Sequence, residues 1–206
     1  MVYNTLSMDW KDGFLFLGNQ LVLDFLNTRP VQNGEATELL PDFEALLRWF
    51  QAAGLLTAGE AARIERHWAK TARAHRTLQE AWHLRERLRK ELLAWEDGAP
   101  LHRSTAGELN QILAAHPVRS RLKPTQDGLT RERWFSIEEP EDLLGPLADS
   151  AAALFAEANR SRVRKCDQCV LHFYDTSKKG TRRWCSMQLC GNRQKVAAYA
   201  ARQREE

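Results

Sequence analysis

The chain has 206 residues, 43% of them hydrophobic and 28% charged, the composition of a folded globular protein rather than of a disordered or collagen-like one. Its longest uninterrupted apolar runs, Ala151 to Ala156 and Val196 to Ala201, are six residues each, where a membrane span needs about 18. The first apolar cluster, Phe14 to Leu17, follows Asp9 and Asp12 rather than a basic segment, so the expectation is a cytoplasmic protein without a secretion signal.

The formal net charge of +3 is unevenly spread. Residues 1–155 hold 18 Lys and Arg against 22 Asp and Glu, whereas residues 156–206 hold 12 against 5. All four cysteines, Cys166, Cys169, Cys185 and Cys190, lie in the basic quarter. Charge and cysteines together set a boundary near Asn159, which predicts a helical domain over 1–158 and a small module over 159–206.

In chain order, Asn19 to Thr28 places Leu21, Val22, Phe25 and Leu26 on one helical face and Asp24, Asn27 and Thr28 on another, with Pro30 limiting the helix. Asp42 opens a helix through Phe50 that Gly54 ends, and Thr57-x-x-Glu60 reads as a capping box for the next. Leu78, Ala81, Trp82, Leu88, Leu92 and Trp95 predict a long amphipathic helix with Glu86 and Lys90 paired outside. A second box, Thr105-x-x-Glu108, predicts a helix ending before Pro117. Val118 to Lys123 and Leu129 to Ile137 flank a Gln126-Asp127-Gly128 turn and predict a β-hairpin. Leu143 to Ala158 returns to helical spacing. The fold class is therefore mainly α with a small β-hairpin.

The cysteines are spaced Cys166-x2-Cys169, fifteen residues, then Cys185-x4-Cys190. Four thiolates close a tetrahedral site, and a Cys-x-x-Cys turn supplies two of them, so the expected cofactor is one structural Zn²⁺ per chain. Two disulfides, a thioredoxin-type redox pair, and His172 in place of one cysteine are the competing readings. Val170 to Tyr174 and Thr181 to Trp184 read as two paired strands, with Trp184 covering the metal. A helix from Cys190 through Val196, Tyr199, Ala200 and Gln203 completes a treble-clef-like finger.

The finger is strongly basic. Arg182, Arg183, Arg193, Lys195 and Arg202 are the candidate DNA contacts, with Gly191 and Asn192 leaving backbone N–H groups open to a phosphate. The alternative is a solvated basic face.

The run Cys185-Ser-Met-x-x-Cys190-Gly191-Asn192-Arg193-x-Lys195, preceded by Phe173-x-Asp175-x-Ser177 and Arg182-Arg183-Trp184, resembles the CGNR zinc-finger family of bacterial transcription regulators. Leu21-Val22-Leu23-Asp24-Phe25-Leu26-Asn27-Thr28 resembles the opening motif of the ABATE domain that precedes such fingers. The resemblance implies a zinc-dependent DNA-binding module, with the four cysteines as ligands, attached to a helical domain that senses a stress signal or small ligand. The sequence departs from the family at Ala197, Ala198, Ala200 and Ala201, a stretch usually more basic.

The expectation is a transcription regulator and not an enzyme. Its partner is DNA, a small effector binds near Asp24 and Asn27, and a homodimer or a partner protein supplies specificity, since one finger reads too few base pairs. The rival reading puts ligand binding or chemistry in the helical domain and leaves the finger as a stabilising appendage; a third gives the basic finger an RNA or protein partner.

Overall fold

The computed structural model describes residues 10–32, 35–126, 128–192 and 203. Among these, the chain is mainly α-helical with two-stranded antiparallel hairpins. The first hairpin, β1 (Trp10–Lys11) with β2 (Phe14–Leu15), leads into α1 (Leu21–Leu26). A second, β3 (Val31–Gln32) with β4 (Glu35–Ala36), precedes α2 (Phe43–Ala52), α3 (Ala58–Trp68), α4 (Ala72–Glu96) and α5 (Arg103–Ala115). The ribbon of β5 (Arg119–Thr125) and β6 (Gly128–Trp134) follows, and α6 (Leu144–Glu157) closes the helical region. Among the described residues no helix is long and apolar enough to cross a membrane.

Local signals set most helix starts. The Asp42 carboxylate accepts from the Ala45 N–H at 2.7 Å, and Thr57 and Glu60 form the reciprocal capping box. The second box does not form. His102 caps α5 instead, while Thr105, inside the helix and buried, donates its hydroxyl to Glu91 of α4 at 2.9 Å. Glu108 turns outward to Arg87. A buried tertiary hydrogen bond outweighs a solvent-exposed cap at this helix.

The helical core lies where α1, α2, α4 and α6 meet. Trp49 is fully buried there between the rings of Phe16, Phe25 and Phe50, at centroid distances of 6.0, 5.7 and 5.3 Å. The 25-residue α4 turns Leu78, Ala81, Leu84, Leu88, Leu92 and Trp95 to this core. Arg85 lies in the same stripe, 1% exposed. Its guanidinium pairs with both oxygens of Glu38 and donates to the Thr28 hydroxyl at 2.8 Å, so the buried charge is matched. Glu86 pairs outside with Arg29, Arg85 and Arg89 rather than in the expected i,i+4 register.

α1 departs from the expected two-faced pattern, because all six of its residues are buried. A helix this short is unstable alone, and its ends are held from elsewhere. Ser150 of α6 accepts from the Val22 N–H at 3.0 Å, and the Arg89 guanidinium donates to the Leu26 carbonyl, a cation at the negative end of the helix dipole. One side of α1 packs on α4 and α6; the other meets the finger.

Candidate metal centre and its seat on the helical region

The finger begins with β7 (Val163–Lys165), antiparallel to β8 (His172–Tyr174) in the register Val163↔Tyr174, Arg164↔Phe173 and Lys165↔His172. The Cys166-x-x-Cys169 turn joins the two strands, and the Cys166 N–H donates to the Leu171 carbonyl at 2.9 Å. The expected strand over Thr181–Trp184 does not form. Both edges of β8 are occupied already, one by β7 and the other by the helical region. Cys185 and Cys190 come from the far side, where the Ser186 hydroxyl accepts from the Gln188 and Leu189 N–H groups and starts a wide π-type turn over Met187–Gly191. The expected helix beyond it falls at 193–202, outside the described residues.

The four sulfurs all lie within 4.8 Å of one another. Cys169 to Cys185 and Cys185 to Cys190 are 3.7 Å apart. Tetrahedral zinc with bonds of about 2.3 Å sets its sulfurs about 3.8 Å apart, whereas a disulfide needs about 2.05 Å. All four thiols are free, so the disulfide reading does not hold. Hydrogen bonds from the Cys169 and Cys185 thiols hold Cys166 far below its usual value, hydrogen bonding with Cys166 and Cys169 pushes Cys185 up, and burial raises Cys190. Four crowded thiols resist joint ionisation, and a dication removes that conflict. The cluster fits one structural zinc ion, which Cys166, Cys169, Cys185 and Cys190 would hold as four thiolates, the ligand set of a structural rather than a catalytic centre. His172 is not among the ligands; its Nε2 lies 3.3 Å from Glu96 of α4.

Trp184 packs against the sulfur cluster, as expected, with Val170 and Leu189. The other organiser is Asp175, fully buried, whose carboxylate accepts from the Ser177 and Arg182 N–H groups at 2.8 Å each. Burial pushes this carboxyl up, but the hydrogen bonds from Ser177 and Arg182 outweigh it and hold the group below its usual value. The loop between them turns at Gly180, φ +63°, where a side chain is strained. Arg162 donates to the Asp175 and Ser177 carbonyls and Arg164 to that of Gly180. Lys178 and Lys179 stand exposed on this braced loop.

The candidate DNA contacts divide. Arg182 is held inward, its Nε donating to the Trp184 carbonyl at 2.8 Å and its guanidinium 4.6 Å above the buried Phe173 ring. Arg183 is exposed at 67% but pairs with Asp167 at 2.7 Å. Arg193, Lys195 and Arg202 lie outside the described residues.

The helical region completes the free edge of β8. The Asn27 amide donates to the His172 carbonyl at 2.8 Å and accepts from the His172 N–H at 3.0 Å, as a neighbouring strand would. Two residues on, the Tyr174 N–H donates to the Gly18 carbonyl and the Asn19 amide to the Tyr174 carbonyl. Gly18 is required by close packing, since a Cβ there would lie 2.6 Å from Leu23 Cβ. Asp24 accepts from the Gly18 N–H at 2.6 Å, and burial pushes its carboxyl up to about 7 against the pull of the Gly18 and Leu17 N–H groups. Asp24 and Asn27, the expected ligand contacts, are thus 2% exposed and bonded to the chain's own backbone. Leu15 and Leu17 pack with the cysteines, while Val163 and Tyr174 join the helical core, so apolar contacts cross the boundary expected near Asn159. The part that Gly18 and Asn19 play in this seam has one sequence signal, a Gly-Asn pair before a short apolar helix.

A family model for ABATE, described as "Putative stress-induced transcription regulator", matches residues 19–158, and one for the CGNR zinc finger matches residues 162–203. No curated protein matches the chain.

Proposed function

The chain belongs to the ABATE family, with a CGNR zinc finger following the ABATE domain, and from that premise we propose that it is a cytoplasmic regulator that binds DNA through the finger while the helical domain modulates it. The observation that carries the reading is the closed four-sulfur centre beneath a basic module: residues 160–204 hold twelve Lys and Arg against Asp167 and Asp175. Because every metal position is taken by a thiolate, the centre serves structure and the proposal includes no catalysis.

The seam between α1 and β8 is the route of modulation. A change in α1 is felt directly by β8, the strand that follows the Cys166-x-x-Cys169 turn. The place for an effector is the cleft of about 90 Å³ lined by Gln20, Leu21, Arg133, Asp149 and Ser150, against the start of α1, rather than the filled site at Asp24 and Asn27. One small module reads roughly three or four base pairs, so the proposal includes a homodimer that sets two fingers at fixed spacing, and sedimentation with and without DNA tests that part.

The test of the main reading is duplex binding across a salt series, with and without zinc. With zinc, log K should fall with log salt at a slope of about −4 per finger, as expected for four or five neutralised phosphates. Equal binding after zinc removal would overturn a contact made by the folded finger, and Arg193→Ala with unchanged affinity would assign the basic face to solubility.

A further inference from the structure

β5 and β6 pair along seven residues each, from Arg119↔Trp134 to Thr125↔Gly128. Every residue of β5 is exposed, and β6 is exposed or half-buried throughout. At about 3.4 Å per residue the ribbon is about 24 Å long. Paired residues share a face. Ser120, Leu122 and Pro124 therefore stand with Arg133, Arg131 and Leu129, and Arg119, Arg121 and Lys123 stand with Trp134, Glu132 and Thr130 on the opposite face.

Charge sets the ribbon apart from the body that carries it. Residues 119–134 hold five Lys and Arg against two acids; the remainder of 1–155 holds 13 against 20, a net of −7. Glu132 partly balances Arg121 and Lys123, and Arg133 pairs with Asp149. Among the described residues Arg131 reaches the Ser120 hydroxyl, at 3.0 Å, and no acid, and Arg119 lies over the Trp134 ring, so the ribbon's five Lys and Arg outnumber its two acids. The Leu122 face is unusual in a second way. Leu122 and Leu129, 68% and 69% exposed, put apolar side chains on the same face as Arg131, near the turn end of the ribbon.

An exposed β-ribbon with apolar side chains and arginines on one face has the chemistry of a minor-groove arm. The groove's negative potential attracts the guanidinium groups, and apolar side chains wedge between base steps and bend the duplex. The ribbon also lies near the start of the finger: Glu157, the last residue of α6, lines the same open crevice as Lys123, Arg131 and Arg133.

We propose that the β5–β6 ribbon is a second DNA contact, an arm that lays its Leu122, Leu129 and Arg131 face into the minor groove beside the finger's site. The inference rests on the DNA-binding reading above, and the experiment separates the two. Zinc-loaded full-length chain, Arg131→Ala and the pair Leu122→Ser/Leu129→Ser are measured on one end-labelled duplex for affinity across salt, for bending by energy transfer between the ends, and for association state by sedimentation. These side chains are exposed, so the variants keep the fold, and a melting curve checks it. Arg131→Ala should flatten the salt slope by about 0.9. The leucine pair should keep the slope and lose the bend. Wild-type slope and bend in both variants would overturn the arm and leave the finger's DNA binding standing. A leucine variant that turns a dimer into a monomer with unchanged bending would make a second copy the occupant and overturn it as well. A zinc-loaded wild-type chain that binds no duplex would overturn both readings.

Discussion

The helical region and the finger are held by different physics, and they meet in a seam that belongs to both. The helical region is closed by apolar burial around Trp49, Phe25 and the inner stripe of α4. Among the described residues, the finger's own cluster contains Leu171 and Phe173 as buried apolar residues besides its cysteines, and it takes Leu15 and Leu17 from the other region. A core that small does not fold without help; the metal supplies it from within and α1 from outside. The contrast teaches that the short α1 is not a helical-domain element with a finger appended, but the surface on which the finger is completed.

The comparison breaks most completely when the metal is removed. Chelation, or Cys185→Ala, should unfold the finger, because metal binding in such modules is worth about 10 kcal/mol or more. α4 should stay helical. Circular dichroism and metal content, read together, check this: loss of most helix on chelation would mean that the two regions share one core.

The pH dependence of stability comes next in size. Burial raises the Asp24 carboxyl from 3.8 to about 7, so the folded chain holds this proton more tightly than the unfolded one. The stabilisation is fully present below about pH 4 and is lost as pH rises through 7, by up to about 4 kcal/mol. Asp24→Asn keeps an oxygen for the Gly18 N–H and removes the charge. Denaturant melts should show the variant more stable than wild type at pH 8 and level with it at pH 4; parallel curves at both would contradict the account.

A cut at the seam should cost less. Asn27→Ala leaves the buried His172 N–H and carbonyl without partners, at roughly 1–3 kcal/mol each, and should loosen the finger while zinc stays bound. Zinc retention with a lower melting midpoint is the expected pair of readings. The smallest effect should come from Thr57→Ala, which removes the α3 cap for about 1 kcal/mol. It should lower helical stability and leave zinc affinity unchanged.

Much of this was legible in the sequence where a local rule had no rival. The Thr57 box, the Asp42 cap, most of the inner stripe of α4 and the pairing of β5 with β6 follow from local pattern, and the cysteine spacing marks the four residues whose sulfurs gather in one cluster. Failures came where a tertiary partner intervened. Thr105 was taken by Glu91, and the strand expected at Thr181–Trp184 had no free edge of β8 to join. Arg85 carried a signal that was passed over, a charge in register with Ala81, Leu88 and Leu92, which marks a buried ion pair when its acid lies far along the chain. Asp24 and Asn27 stand out in the sequence as polar residues beside an apolar stripe, but periodicity cannot say whether such a face awaits a ligand, as expected, or another part of the same chain. Leu23, apolar on that polar side, pointed to the second.

Hydrogen exchange on the zinc-loaded and chelated chain tests the central claim most directly, that one metal centre holds the finger while the α1 seam seats it. The account predicts that the His172 and Tyr174 amides are protected with zinc and lose protection without it, while amides of α4 around Leu84 and Leu88 stay protected in both states. Protection of His172 and Tyr174 that survives chelation would contradict it.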